Sequence, residues 1–453
     1  MLFYSTNNKN IAVSLKEAAL NGLAPDGGLY MPEKIPKFPS KFFRQAKHLS
    51  FQEISFEIAK KFFFGDIPQN DLEEITHGAV NFDAPLKPLA GNIDVLELFH
   101  GPTLAFKDFA AGFMARLMAY FVKDSDKELT VLTATSGDTG SAVAHGFFKA
   151  PGIRVIILYP SKKVSEMQEK MLATMGENIT ALEIQGTFDD CQRLVKQAFA
   201  DKDLKQKLFL TSANSINIIR LIPQIFYYIY AFARLDNYSP SCKREAGRDF
   251  MPLIFSVPSG NFGNLTAGLL AKRMGLPVFK FIAATNINDV VPRYLENGIY
   301  LPHPAQKTLS NAMDVGDPSN FARMLELYDN DVRIMKKDII GMRCADEETV
   351  SAIKDVYRKY NYILDPHGAV GYFALKKYLD CWRKAAPRAI RARGIFLETA
   401  HQAKFADTVE DALKIKILIP KRLSAYLDKE KKAVLLPADF AALKEFLTPL
   451  HSA

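Results

Sequence analysis

The sequence predicts an α/β protein with a sheet of largely parallel strands. From residue 94 onward, short apolar runs typical of buried strands alternate with stretches of helical periodicity. This alternation is the pattern of parallel strands joined by helices. Two glycine-rich loops, at 133–142 and 256–264, each follow a strand-like run and precede a helix-like run. Loops in this position lie at the carboxyl edge of a parallel sheet, where small anions bind.

Each element is predicted from its local pattern. Ser14 and Glu17 have the spacing of a capping box, which predicts an early helix start in a mostly helical N-terminal region. Strands are predicted at 129–132, 155–158, 179–184, 208–210, 253–257 and 279–283. Helices are predicted after the two glycine-rich loops, at 141–149 and 265–272. Further helical stretches between the strands complete the α/β pattern.

Two further segments bear on the domain organisation. The polar segment 236–247 is typical of a surface linker. The apolar run 218–235 contains Arg220 and Arg234, so its uninterrupted part is shorter than the about 20 residues that a membrane span needs. A buried helix is therefore expected there. The expected domains are residues 1–93, 94–245 and 246–453.

The composition is that of an ordinary globular protein, with 48% hydrophobic and 24% charged residues among 453. The net charge of +8 is a mild basic excess without a dense Lys/Arg block, which argues against a nucleic-acid partner. The four cysteines form no Cys-x-x-Cys pair, so neither a zinc site nor a disulfide scaffold is expected. The first residues resemble neither a secretory signal nor a transit peptide, and a cytoplasmic location is expected.

Lys107 is the best candidate for a residue that does chemistry. It lies between Phe106 and Phe109 in the mainly apolar run 100–110. An ammonium that loses hydration in apolar surroundings favours the neutral amine, which is the nucleophile that forms Schiff bases with carbonyl compounds. The alternative is a lysine whose stem crosses the edge of the core while its charge reaches water.

The first glycine-rich loop has the composition of a site for a small carboxylate. Thr135, Ser136 and Thr139 supply hydroxyl groups, and the glycines at 137 and 140 allow backbone amides to approach an anion closely. This pattern suits the carboxylate of an amino acid. A plain turn built from the same residue types is the alternative.

The second loop has the composition of a phosphate site. It is neither a Walker loop nor a G-x-G-x-x-G fingerprint. Backbone amides at the start of the following helix could surround a phosphate group. The residues concerned are Gly260, Asn261, Phe262, Gly263 and Asn264.

Together these segments resemble the threonine synthases, a family of pyridoxal-phosphate enzymes of the tryptophan synthase β-like fold, also called fold type II. The resemblance covers nearly the whole chain. The early segment 22–30, GLAPDGGLY, belongs to this family rather than to fold type II enzymes generally. The other segments that carry it are FKDF at 106–109, the two loops, and the stretches 211–220, 312–320, 365–371 and 397–405.

The resemblance implies a cofactor cleft between two α/β domains with mainly parallel sheets, beside a mostly helical N-terminal domain. The smaller domain would hold the first loop. The larger one would combine the lysine segment with the chain from about residue 250 onward. Closure of the two domains over the substrate would exclude water.

The resemblance also implies roles for particular residues. Lys107 would hold pyridoxal 5'-phosphate as a Schiff base and would then shuttle protons. The second loop would bind the cofactor phosphate. Thr399 would hydrogen-bond the pyridine nitrogen and leave it largely neutral. Asp138 stands where related enzymes place an asparagine near the phenolic oxygen, and its protonation state is open.

The implied reaction converts O-phospho-L-homoserine and water into L-threonine and phosphate, in a monomer or homodimer. Arg220 and Lys404 are the cations in family motifs that could bind the substrate phosphate, with Ser319 and Asn320 as possible neutral donors. A buried ion pair or a helix-end contact is the alternative for each cation. Three histidines in the same motifs are expected to be hydrogen-bonded core residues rather than catalysts: His100, His367 and His401.

Two other functions remain open at this point. A related phospho-lyase would eliminate phosphate and release a 2-oxo acid, with the same lysine and loops. An inactive homologue would bind the cofactor without turnover.

Overall fold

The computed structural model describes residues 1–235, 251–385 and 392–448. Its strands are β1 (Leu2–Ser5), β2 (Ala12–Ser14), β3 (Tyr30–Pro32), β4 (Leu86–Ala90), β5 (Ile93–Glu97), β6 (Leu129–Ala134), β7 (Ile153–Pro160), β8 (Ile179–Gln185), β9 (Phe209–Thr211), β10 (Leu253–Pro258), β11 (Lys280–Thr285), β12 (Ile339–Arg343), β13 (Arg393–Glu398) and β14 (Ala433–Pro437).

The α-helices are α1 (Leu15–Asn21), α2 (Ser40–Gln45), α3 (Phe51–Phe63), α4 (Gln69–Ala79), α5 (Lys107–Val122), α6 (Asp138–Gly146), α7 (Glu166–Ala173), α8 (Phe188–Ala200), α9 (Lys202–Lys207), α10 (Ile225–Ala233), α11 (Gly263–Arg273), α12 (Val290–Asn297), α13 (Phe321–Leu327), α14 (Val332–Asp338), α15 (Asp346–Tyr360), α16 (Pro366–Ala385), α17 (Ala406–Leu413), α18 (Lys421–Leu427) and α19 (Phe440–Leu447). Short 3-10 helices occur at Ala46–His48, Ile218–Arg220, Ile222–Gln224, Asn311–Met313 and Gln402–Phe405.

The N-terminal region combines helices α1 to α4 with a small antiparallel sheet. The capping box that starts α1 is formed as predicted, with Ser14 and Glu17 each accepting a hydrogen bond from the other's backbone N–H. Strand β1 pairs antiparallel with β2 and β3. This sheet was not predicted, because strands of three or four residues are too short to show a clear alternation of apolar and polar positions.

The larger sheet has six strands in the order β12-β11-β10-β13-β5-β4. Every pairing is parallel except that of β4 with β5, which is antiparallel. Every residue of β10 is buried, as expected for a central parallel strand covered on both faces. The predicted α/β fold with mainly parallel sheets is therefore confirmed.

The second sheet has five parallel strands in the order β14-β8-β7-β6-β9. Its edge strand β14 comes from the end of the chain and pairs with β8, so part of 246–453 lies with the strands of 94–245. Strand β5, at the start of 94–245, lies in the six-stranded sheet. Each sheet thus combines strands from more than one of the three expected sequence ranges, and this pairing leaves no local signal in the sequence.

The apolar run 218–235 forms two 3-10 turns followed by α10, with Pro223 at the second turn. All of α10 is buried, which agrees with the expected buried helix. Among the helices in the described ranges, none is long and apolar enough to cross a membrane. The predicted linker 236–247 lies outside the described residues.

Candidate active site

A cavity of about 1550 Å³ lies where the two glycine-rich loops face each other. The loop between β6 and α6 forms one wall of the cavity, and the loop between β10 and α11 forms the opposite wall. The N-terminal residues 23–25 and 27–29 also line the cavity. The expected site residues that line this cavity are Lys107, Thr135, Ser136, Asp138, Thr139, Arg220, Gly260, Asn261, Phe262, Gly263, Asn264, Ser319, His367 and Thr399. Lys404 is not among the lining residues.

Backbone contacts hold Lys107 next to the segment that contains Thr399. Lys107 is the first residue of α5. The N–H of Phe106 donates to the carbonyl of Thr399 at 2.9 Å, and the N–H of His401 donates to the carbonyl of Leu104 at 3.0 Å. Hydrogen bonds between residues 104–106 and 399–401 therefore bring the start of α5, with Lys107, next to Thr399, although the two are far apart in sequence.

The Lys107 ammonium has no carboxylate within ion-pair distance among the described residues. Burial lowers its pKa to about 8; the charge of Asp138 opposes this shift, and the charges of Lys404 and Arg220 reinforce it. A substantial fraction of the side chain is therefore a neutral amine near physiological pH, as its nucleophilic role requires.

Asp138 is held by two donors on one side. Lys404 Nζ lies 2.6 Å from Asp138 Oδ1, and Gln168 Nε2 donates to the same oxygen at 3.0 Å. Burial alone would raise the pKa of Asp138, but the charges of Lys404 and Lys107 and the two hydrogen bonds keep it below its usual range. These contacts favour the ionised carboxylate.

The position of Lys404 differs from the expected one. Its side chain is fully buried, and Nζ also donates to the carbonyl of Thr103 at 2.9 Å. The ammonium uses two of its three N–H donors on a carboxylate and a carbonyl and lies outside the cavity lining, which argues against a contact with the substrate phosphate. No sequence pattern indicated this pairing, or the contact of Gln168 with Asp138.

The first loop uses its central threonine to shape itself. The Oγ1 of Thr135 accepts hydrogen bonds from the N–H groups of Gly137 at 3.0 Å and Gly140 at 2.8 Å. These two amides were expected to approach an anion, but they are used inside the loop instead. Gly137 has φ = 139°, and a Cβ there would lie 2.4 Å from the Gln168 side chain. The groups left for an anion are the side chains of Ser136 and Thr139, which line the cavity.

The second loop presents unpaired amides to the cavity. Phe262 adopts a left-handed conformation with φ = 59°, and α11 begins at the next residue. Within the described ranges, the N–H groups of Gly260, Asn261 and Phe262 donate to no protein acceptor. The first N–H groups of α11 add to them, and the helix dipole favours negative charge at this end. The loop therefore has the free N–H groups that an anion site requires.

Arg220 is a buried cation that lines the cavity without a carboxylate partner among the described residues. Its Nη1 donates to the carbonyl of Ala213 at 2.5 Å, and its Nε has no partner there. Burial lowers its pKa to about 10, against the charge of Asp108, so the guanidinium remains protonated at neutral pH. The remaining N–H donors of Arg220 are suited to an anion other than the one at the second glycine-rich loop.

The three motif histidines are hydrogen-bonded, as expected. His100 Nε2 lies 2.8 Å from Glu97 Oε2, and His401 Nδ1 accepts the N–H of Ala403 at 3.1 Å. His367 Nδ1 lies 2.5 Å from an oxygen of Asp365, and its Nε2 accepts a backbone N–H at 3.2 Å. Of the three, His367 lines the cavity.

Comparison with known proteins agrees with this site. The family model for pyridoxal-phosphate dependent enzymes matches residues 89–386. Models of the threonine synthase N terminus and C-terminal region match residues 2–80 and 369–447.

Full-length relatives belong to the same family. The chain is 44% identical over 447 residues to a threonine synthase of Escherichia coli, covering 99% of both chains. The crystal structure of threonine synthase from that organism superposes with a TM-score of 0.89, again over 99% of both chains. A pyridoxal-phosphate-bound threonine synthase from Brucella melitensis, 34% identical, has a TM-score of 0.89 over 99% of this chain and 98% of that one. The chain belongs to the threonine synthase family of pyridoxal-phosphate-dependent enzymes.

Proposed function

We propose that this chain converts O-phospho-L-homoserine and water into L-threonine and phosphate, with the roles of individual residues given below. The observation that carries the proposal is the position of Lys107: an amine with a lowered pKa stands in one cavity with two separate sites suited to anions. One anion site serves the cofactor phosphate, and the other serves the substrate phosphate.

The residues present fit pyridoxal phosphate. The unpaired amides at 260–262 and the start of α11 match its phosphate. A Cβ on Gly260 would lie 2.8 Å from the carbonyl oxygen of Ala312, so a side chain there would displace the loop from its present position. The Lys107 amine matches its aldehyde, and the Thr399 hydroxyl matches its ring nitrogen. When bound, the cofactor supplies an aldehyde for amino groups and an electron sink for carbanions.

Lys107 is the proposed proton carrier. A neutral amine accepts a proton at Nζ, and a pKa near 8 lets the resulting ammonium return that proton at the same pH. It takes the proton on the substrate α-carbon first and releases it before it takes the proton on the β-carbon, whose removal permits loss of the γ-phosphate. Water then adds its hydroxyl at the β-carbon, and protons return to the α- and γ-carbons.

The other polar groups bind and orient the substrate. Arg220 is the proposed ligand of the γ-phosphate, because its charge is retained and its unpaired donors suit phosphate oxygens. Ser136 and Thr139 are the proposed ligands of the α-carboxylate. A cytoplasmic location, and a monomer or homodimer, stay predictions from the sequence.

Product analysis tests this function. Purified protein loaded with pyridoxal phosphate is incubated with O-phospho-L-homoserine, and amino acids, 2-oxo acids and phosphate are measured together. Threonine and phosphate in equal amounts are expected. Phosphate with 2-oxobutyrate instead would show a phospho-lyase, and no phosphate release would show an inactive homologue.

A further inference from the structure

Lys404 and Asp138 form a buried pair that joins the two sheets. Asp138 begins α6, directly after the five-stranded sheet's β6, whereas Lys404 lies in the 3-10 helix after β13 of the six-stranded sheet. The Lys404 side chain is fully buried and the Asp138 side chain is 6% exposed. Breaking such a pair by removing one partner is costly, because the other is left charged and without water.

The contacts orient the aspartate. Both hydrogen bonds, from Lys404 and Gln168, fall on Oδ1. Among described residues Oδ2 has no hydrogen-bond partner, and Asp138 lines the cavity. One oxygen is therefore anchored, while the other is free in a residue that lines the same cavity as Lys107.

The pair also determines the charge beside Lys107. An aspartate that contacted only Lys107 would lose its counter-ion once that amine reacted with an aldehyde. Lys404 remains in contact with Asp138 in either case. An ionised carboxylate only accepts hydrogen bonds, so any cofactor hydroxyl or protonated nitrogen next to it must supply the proton.

We propose that Lys404 is a positioning residue for the cofactor site: it holds Asp138 as a fixed, oriented negative charge beside Lys107, and it does not bind the substrate. The identification of the cofactor rests on the family and the proposed function. The pairing itself rests on the contacts of Lys404 alone.

Other ionisable groups near the pair leave this charge pattern intact at neutral pH. Burial lowers the pKa of His145 and of His401 to about 4, so both are neutral. Burial raises the pKa of Asp108 to about 6 against hydrogen bonds from Thr103 and the charge of Lys404. Arg220 is protonated and acts on Lys107 in the same direction as Lys404 does.

A double-mutant cycle tests the pairing. Lys404→Met and Asp138→Asn are each expected to lower the Tm of the full chain by about 5 °C or more, because each leaves a buried charge unpaired. The double variant is expected to recover at least half of the larger loss. Losses that simply add would overturn the pairing.

The pH dependence of cofactor capture tests the action on Lys107. Full-length protein without cofactor is mixed with pyridoxal phosphate, and the rate of the visible absorbance change is followed against pH. Its midpoint is expected near 8 in the wild type. The midpoint should fall in Asp138→Asn, because this variant loses the negative charge that raises the pKa of Lys107. It should rise again when Lys404→Met is added, because the Lys404 cation lowers the pKa of Lys107. Equal midpoints in Asp138→Asn and the double variant would overturn the proposal.

A matched ion pair serves as the control. Lys272 Nζ lies 2.7 Å from Asp338 Oδ1 and donates to the carbonyl of Phe279 at 3.2 Å, outside the cavity lining. Lys272→Met should leave the capture midpoint unchanged.

A Lys404→Met variant that raises the KM for O-phosphohomoserine, with Tm and capture unchanged, would overturn the proposal and make Lys404 a substrate ligand. A wild type that fails to capture the cofactor would refute the proposed function, while the Tm cycle would still decide the pairing.

Discussion

At the scale of single residues, burial in one cavity affects three ionisable groups differently. The pKa of Lys107 falls to about 8, so the amine is partly neutral at physiological pH. Burial also lowers the pKa of Arg220, to about 10, and this group remains a cation. Asp138 stays ionised because Lys404 contacts it. One cavity thus contains an amine that is partly neutral, a retained cation and a negative charge, which suit the roles proposed for them.

The sequence predicted the members of this site better than their contacts. Lys107, Arg220 and the second loop were identifiable from residue type and from position between a strand and a helix. The partner of Lys404 was not, because a lysine in a motif shows no local sign of whether a carboxylate from another sheet reaches it. The physical cause is tertiary packing, which brings α6 and the segment after β13 together.

Arg220→Ala is expected to lower kcat/KM for O-phosphohomoserine by about a hundredfold or more, because a charge-assisted contact to the phosphate is lost. The affinity for L-threonine, which has no phosphate, should change by less than about threefold. Arg220→Lys should recover little, since an ammonium cannot make paired contacts. Steady-state kinetics and threonine titration measure both effects.

Arg234 provides the matched control for this variant. It also donates from Nη1 to a backbone carbonyl, that of Lys47 at 2.9 Å, but lies outside the cavity lining. Arg234→Ala should leave kcat/KM unchanged. Loss of cofactor or unfolding in Arg220→Ala alone would show that Arg220 is a structural residue.

At the scale of elements, the predicted strands agree with the observed ones, and the start of α1 does too, but the two helices after the glycine-rich loops begin earlier than predicted. Strand 253–257 is observed as β10, Leu253–Pro258. The helix predicted at 141–149 begins at Asp138 instead, and that predicted at 265–272 begins at Gly263. Glycine-rich sequence predicts a loop, but the first turn of a helix accepts such residues because its N–H groups need no helical partner. These early starts aim the free amides of α11 at the cavity.

Two glycines of the second loop, Gly260 and Gly263, are expected to differ in how much replacement by alanine destabilises the protein. A Cβ at Gly260 would lie 2.8 Å from the carbonyl oxygen of Ala312 and 2.9 Å from the Cα of Met313, both backbone atoms. Gly260→Ala should therefore lower the free energy of unfolding by about 1–3 kcal/mol and weaken cofactor binding. At Gly263 the nearest atom is the Asn320 amide at 3.4 Å, and Gly263→Ala should change stability by less than about 1 kcal/mol.

Urea unfolding of the full chain and cofactor titration measure these two variants. Equal stability losses in both would contradict the close contact between the 260 and 312 backbones.

At the scale of the whole molecule, two sheets drawn from interleaved parts of the chain enclose one cavity with a basic mouth. Strand β14 completes the five-stranded sheet although it follows the last strand of the six-stranded one. The α/β class could be predicted from alternating runs, but strand order could not, because it depends on contacts between distant segments. The exposed lysines that line the cavity are Lys162, Lys163, Lys196, Lys205 and Lys307.

These lysines are expected to attract the anionic substrate. Raising the salt from about 20 mM to about 300 mM should lower kcat/KM for O-phosphohomoserine by about three- to tenfold, because ions screen the attraction. Replacing Lys162, Lys163 and Lys307 together by Gln should flatten this dependence. Replacing three exposed lysines outside the cavity lining by Gln, namely Lys34, Lys37 and Lys41, should leave the salt dependence unchanged. Both triple variants have the same net charge. Equal slopes in both triple variants would exclude a local effect of the mouth.

The most direct measurement is identification of the lysine that holds the cofactor. Borohydride reduction of the protein loaded with pyridoxal phosphate makes the attachment permanent, and peptide mapping then locates it. Lys107 and Lys404 both contribute to the charge around Asp138, but only Lys107 lines the cavity and lacks a carboxylate at ion-pair distance among the described residues. The label is therefore expected on Lys107. A label on Lys404, or on any other lysine, would contradict this account of the site.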